Sequence, residues 1–240
     1  MSVVAMLAVG AFASASALAI TPVYLVCLTK TGGKFKDRNC SETSGSGTFE
    51  LVEVTSNLGV NGTLGTAGTL GVSKLKSTLL SAEILIICKK GKFTGEIGPK
   101  GLSTGTITYE ACSAGNKKET FENCEVPNIG FNFVDQLVEN SKGEIEDEFK
   151  PAAKGSALFV NIEIKNKEGK SCLQKGTFPV DGTRNAGTEP ASTGARLLRI
   201  LLFSETSKSN LTFNGEPATY IGEASIDLNN DDSWGACIIP

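Results

Sequence analysis

Histidine is absent from all 240 residues. With it go the Ser-His-Asp and Cys-His mechanisms, which need an imidazole base near neutral pH, and zinc held by histidine. Catalysis is left to carboxylates, a Ser-Lys pair or an oxygen-bound metal. No C-x-x-C occurs, so neither thioredoxin-like redox chemistry nor a zinc ribbon is indicated. Tryptophan occurs once and tyrosine three times, too few for a row of aromatic sugar platforms. Trp234, next to Gly235 and close to Cys237, reads instead as a core plug on a terminal strand. A basic excess is missing as well: 23 Lys and Arg stand against 26 Asp and Glu, net charge −3, which is no nucleic-acid footprint. Past the N-terminus, no apolar run approaches the about 20 residues needed to span a bilayer, so no transmembrane anchor is expected. Ala195 to Phe203 carries two arginines and Leu79 to Cys88 carries Glu83; both read as core strands.

What is present begins with residues 1–19. Val3 to Phe12 is uncharged and mostly apolar, and Ala17-Leu18-Ala19 fits the small-x-small rule of signal peptidase. Met1-Ser2 lacks the Lys or Arg that ordinarily precedes such a run. A signal peptide over 1–19 and a mature chain from Ile20 are the expectation, hence a secreted, extracellular protein. Cys27 follows Val26 and lies past the cleavage site, so it reads as a strand cysteine rather than a lipid attachment point. Export makes all seven cysteines disulfide candidates.

Three zones follow. Residues 20–57 read as an N-terminal disulfide hairpin unit: a strand over Val23 to Thr29, a turn at Thr31-Gly32-Gly33-Lys34, and a strand over Gly47 to Thr55. Residues 58–76 read as a Gly-rich connection, with glycine at 59, 62, 65, 68 and 71. The run lacks the proline of collagen and the Gly-Lys-Ser/Thr of a phosphate loop. Residues 77–240 read as the main β domain. Leu158, Val160, Ile162 and Ile164 alternate with Phe159, Asn161, Glu163 and Lys165, and Tyr220, Gly222, Ala224, Ile226 and Leu228 alternate with Ile221, Glu223, Ser225 and Asp227. Both are the period of two of a half-buried strand. Turn signals at Lys89-Lys90-Gly91, Gly98-Pro99-Lys100-Gly101 and Asn214-Gly215 separate short strands. The fold class is therefore all-β, an antiparallel sandwich-like or barrel-like domain. Phe133 to Asn140 is the one stretch with helical promise.

Proximity in the chain favours Cys27–Cys40 and Cys112–Cys124. Cys88 ends an apolar strand and Cys172 follows a turn after another, which pairs them and leaves Cys237 as the free thiol. Ile87-Cys88, Thr94-Gly95-Glu96, Ile107-Thr108-Tyr109-Glu110-Ala111-Cys112, Cys124 and Cys172 together resemble a group of secreted proteins of soil actinobacteria to which no activity is assigned. The likeness covers roughly residues 70–185. It implies export and a framework of Cys88, Cys112, Cys124 and Cys172. It departs at the acidic stretch Glu144 to Glu148 and at Cys237.

Two constellations could carry chemistry. Glu96 and Glu110, on or beside neighbouring strands, could form the carboxylate pair of a glycosidase, which needs a separation of about 5–5.5 or 6.5–9.5 Å. The competing reading is two solvated strand glutamates. Asp227, Asn229 and Asp231 begin a D-x-N-x-D calcium pattern, but Asp232 replaces the required glycine and Ile238 the closing glutamate, so an EF-hand is excluded and a polar turn is favoured. Glu144 to Glu148 reads as a solvated face. No cofactor is called for. The favoured function is a non-enzymatic binding or structural protein with an extracellular or cell-envelope partner. The alternative is a carboxylate-dependent hydrolase acting on polysaccharide.

Overall fold

A computed structural model describes residues 22–64, 72–189, 199–205, 207–230 and 232–237. The expected signal segment, Asp231 and the glycines at 65, 68 and 71 lie outside them. Strands account for 67% of the chain and helix for 2%, so the all-β expectation holds. The strands are β1 (Val23–Phe35), β2 (Thr43–Glu53), β3 (Leu58–Leu64), β4 (Ser73–Leu79), β5 (Ala82–Ile97), β6 (Leu102–Gly115), β7 (Cys124–Glu125), β8 (Ile129–Glu139), β9 (Ile145–Pro151), β10 (Leu158–Asn166), β11 (Gly176–Asp181), β12 (Arg184–Glu189), β13 (Arg199–Phe203), β14 (Thr212–Phe213), β15 (Glu216–Pro217), β16 (Thr219–Leu228) and β17 (Trp234–Cys237).

Eight of them close into an antiparallel barrel in the order β13-β12-β9-β8-β6-β5-β3-β16, with β16 returning to β13. Closure leaves no sheet edge exposed. Of the expected Gly-rich connection, residues 58–64 and 73–76 are part of this wall. β3 pairs the second half of β5 (Leu64 with Gly91) and β4 pairs the first half (Ser73 with Cys88). β3 and β4 thus occupy one position of the barrel, between β5 and β16. Glycine lets backbones approach closely there: a side chain at Gly62 would stand 2.3 Å from the Ser225 carbonyl.

Three strands, β17-β1-β2, cover one end. Tyr24 and Trp234 point from them into the core, and the Trp234 indole donates to the Ile226 carbonyl at 3.1 Å. Trp234 is the plug its position suggested. Five strands, β15-β14-β11-β10-β7, cover the other end with Ile162, Ile164, Val180 and Phe213 buried beneath them. Between the caps an aromatic chain fills the interior: Phe93, Phe133, Phe149, Phe203 and Tyr220 follow one another with ring centroids 5.0–5.3 Å apart.

Several local expectations are corrected. Phe133 to Asn140 is not helix: Phe133 to Glu139 lie within β8, where Phe133, Asp135 and Leu137 are buried in alternation, and that period of two prevails over local propensity. Thr31 to Lys34 lies inside β1, where Gly32 at φ +72 marks a bulge. The turn comes later, at Asp37. Its carboxylate accepts the Glu42 N–H at 2.7 Å and those of Asn39 and Ser41. These bonds, Glu42's first, hold its carboxyl below the usual range.

Cys27–Cys40 forms as expected, Cys237 is the free thiol, and the other two bridges are Cys88–Cys112 and Cys124–Cys172. The expected Cys112–Cys124 and Cys88–Cys172 pairs are therefore wrong. Proximity in sequence misleads because β5 and β6 form one long hairpin that sets Cys88 directly opposite Cys112. Cys124, opposite Asn166 on β10, is then left for Cys172 just beyond it. Non-reducing peptide mapping should find these three links and an alkylatable Cys237. Cys124→Ser with Cys172→Ser should lower stability by about 4 kcal/mol, since this bridge closes the longest loop.

Candidate functional site

Glu96 and Glu110 do not meet. Glu96 stands opposite Thr104, and Glu110 stands opposite Lys90. The offset of six positions puts them about 20 Å apart along the strands, beyond either glycosidase geometry. Glu96 is exposed and accepts from the Asn57 amide at 2.8 Å; Glu110 sits 3.9 Å from the exposed Lys92. Asp227 is exposed, and Asn229 accepts the Asn61 amide at 2.6 Å. No cluster of three or more Cys, Asp or Glu side chains placed to hold a metal occurs among the described residues.

The structure does bring two other carboxylates together. Asp135 of β8 and Asp147 of β9 are buried inside the barrel, and the Tyr24 hydroxyl lies 3.2 Å from each. Ser103 also donates to Asp135, at 2.8 Å. Asp147 belongs to the stretch expected to be a solvated face. It is 1% exposed because Ile145, Asp147 and Phe149 share the inward side of β9. The space beside them is about 10 Å³, room for one water at most. These aspartates tie the β1 cap to the barrel wall; no substrate has room to reach them.

The space large enough to matter lies at the other end. A cavity of about 90 Å³ opens between the barrel and the β10–β11 cap. Leu75, Ile86, Ile107, Ile129, Phe149 and Ile162 form much of its wall, and Phe131, Phe159 and Val160 are half-buried at it. Apart from Phe159 and Val160, consecutive residues at an irregularity of β10, each alternates with an outward residue on its strand, so the wall follows from the strand period. A barrel of eight strands has an interior of this scale, filled by side chains or holding one small ligand.

The polar groups in this wall are few. Tyr109 donates to the Tyr220 hydroxyl at 2.6 Å, and Tyr220 donates to Ser73 Oγ at 3.0 Å. Gly222 makes room for this relay: a side chain there would stand 2.7 Å from the Tyr220 hydroxyl oxygen. Arg184, the one charged residue of the wall among the described residues, starts β12 and is 3% exposed. Its Nη1 donates to the Ser207 carbonyl at 2.8 Å, and its Nη2 to the carbonyls of Tyr220, at 2.8 Å, and Ser204. Burial pulls its pKa down, while Tyr220 and Glu146 oppose the fall. Burial, foremost, pushes the Tyr109 phenol well above its usual value and the Tyr220 phenol up as well. None of Tyr109, Tyr220, Ser73 or Arg184 stands out in the sequence as a site residue. The available signal was an arginine and a tyrosine on the inward side of apolar strands, invisible until the register is known.

A raised phenol pKa has a definite sign. Above the ordinary value of 10.0 the unfolded chain loses protons that the folded chain keeps, so stability falls as pH rises. Denaturation midpoints should be level from pH 8 to about 10 and decline above it. The Tyr109→Phe, Tyr220→Phe variant should show a shallower alkaline decline. No family model, curated protein or solved structure matches this chain, so the reading of this site rests on its own geometry.

Proposed function

We propose that this chain is an exported, non-enzymatic binding protein that takes a small apolar molecule into the end of its barrel. The observation that carries this reading is the 90 Å³ cavity walled by aliphatic and aromatic side chains. Ligand sites are concave and mainly apolar, with a few placed polar groups, and this wall has that composition. The volume is several times the about 10–15 Å³ that one water needs, yet its apolar lining offers water few partners. It suits a chain of a few carbons or a small ring.

Three disulfides support an oxidising, extracellular setting, as does the likeness to secreted actinobacterial proteins. No helix among the described residues is long and apolar enough to cross a membrane. A polysaccharide hydrolase finds no support in the site, because the paired carboxylates adjoin no space for a sugar.

The test is a chain-length series. Straight-chain alcohols from propanol to octanol are titrated while the methyl resonances of Ile86, Ile107, Ile129 and Ile162 are followed. Each buried methylene is worth about 0.8 kcal/mol, so affinity should rise about fourfold per carbon until the cavity is full. Val160→Trp, which places an indole at the half-buried rim, should abolish the shifts. Shifts independent of chain length, or unchanged in Val160→Trp, would contradict the reading.

A further inference from the structure

The three disulfides are not alike. Cys88 and Cys112 face each other directly across the β5–β6 ladder, with Cα atoms 4.0 Å apart, against 5.9 Å for Cys27–Cys40 and 5.0 Å for Cys124–Cys172. Disulfides ordinarily span about 4.4–6.8 Å. The ladder is irregular beside this one. Ile84, Ile86 and Cys88 are buried in alternation, then Lys89 and Lys90 are both exposed, and burial resumes on the other parity at Gly91 and Phe93. β6 changes at the same level. Ala111, between the Lys90–Glu110 and Cys88–Cys112 pairs, is exposed and held at φ +53. Alanine has no polar side chain to favour that left-handed conformation, and backbone strain of this kind gathers at functional positions. The two sulfurs also differ in setting. Cys88 is 4% exposed and lines the apolar cavity, whereas Cys112 is half-buried.

We propose that Cys88–Cys112 is a redox switch on the ligand cavity, so that reduction by a dithiol frees the Cys88 thiol, narrows the site and loosens its ligand. This rests on the cavity being a binding site and names how that site is regulated. A thiolate of the reductant attacks Cys112 Sγ, the more accessible sulfur, and forms a mixed disulfide. Cys88 leaves as the thiolate and takes up a proton. The second thiol of the reductant then displaces Cys112, and the reductant departs as a cyclic disulfide. Two electrons and two protons pass to the protein. Sulfurs that shared a bond of about 2.0 Å must now stand at van der Waals separation, about 3.5–4 Å for heavy atoms. The space beside Cys88 is the unfilled cavity, and close-packed interiors have little other room. The freed thiol therefore takes the place of about one methylene of the ligand. By reciprocity, a bound ligand favours the oxidised pair.

With Cys237 blocked beforehand, the folded protein is titrated with dithiothreitol, alkylated and mapped by mass spectrometry. Cys88 and Cys112 should become alkylatable together, before Cys27, Cys40, Cys124 or Cys172. Hexanol is then titrated into the protein reduced at that bond alone. Its affinity should be about fourfold below that for the oxidised protein, the increment for one methylene. Saturating hexanol should raise the ratio of reduced to oxidised dithiothreitol at half-reduction by the same factor. Cys88→Ala with Cys112→Ala removes the bond and the sulfurs together, so it should bind hexanol at least as well as the oxidised protein. Earlier opening of another bridge, or equal hexanol affinity in the oxidised and reduced forms, would overturn the switch and leave the apolar site standing. So would affinity in the double variant as low as in the reduced protein. Should that variant fail to fold, the wild-type titrations decide. No hexanol binding by the oxidised protein would overturn both readings.

Discussion

A closed eight-stranded barrel must fill its own middle, and here that constraint is met by rings. The chain from Phe93 through Phe133, Phe149 and Phe203 to Tyr220 occupies the centre and divides the interior in two. Such pairs add about 0.5–1.5 kcal/mol each beyond their burial. Small residues in the wall make space for them. A side chain at Gly105 would stand 2.9 Å from the Phe133 ring, and Gly222 clears the Tyr220 hydroxyl. On one side of the plug the interior is tight and polar, with Asp135 and Asp147 joined by Tyr24. On the other it is apolar and incompletely filled.

The two caps follow this division. β1 and β17 bring Tyr24 and Trp234 down onto the polar end, so both ends of the described chain are secured in one small sheet. β10 and β11 close the apolar end from above, and Cys124–Cys172 fastens β7 to the loop after β10. Cys88–Cys112 staples β5 to β6 at the level of the cavity, where Cys88 itself lines the wall. The unfilled space is thus bordered by one covalent link, through Cys88.

The strand content of this fold was legible because it depends on a pattern of period two, which Leu158 to Ile164 and Tyr220 to Leu228 display openly. Trp234 and Cys237 were legible from their place beside the C-terminus. Closure of the barrel was not, since it depends on β13 meeting β16, a pairing between strands whose partners no local signal names. The same gap explains the misassigned cysteines: pairing follows the ladder, and Cys88 faces Cys112 only once β5 and β6 are in register. Asp135 and Asp147 were hidden for another reason. Charge in a sequence suggests water, and only the inward parity of Ile145, Asp147 and Phe149 reverses that. Arg184 combined both difficulties: a charged residue by composition, and an inward one only by register with Phe149.

The central claim is that the apolar end of the barrel is left open to a small apolar molecule. Apolar cavities of this kind take up xenon, so a crystal structure under xenon pressure tests the claim directly. Xenon density among Leu75, Ile107, Phe149 and Ile162 is the expected result. Density confined to other places, or none at all, would contradict the account.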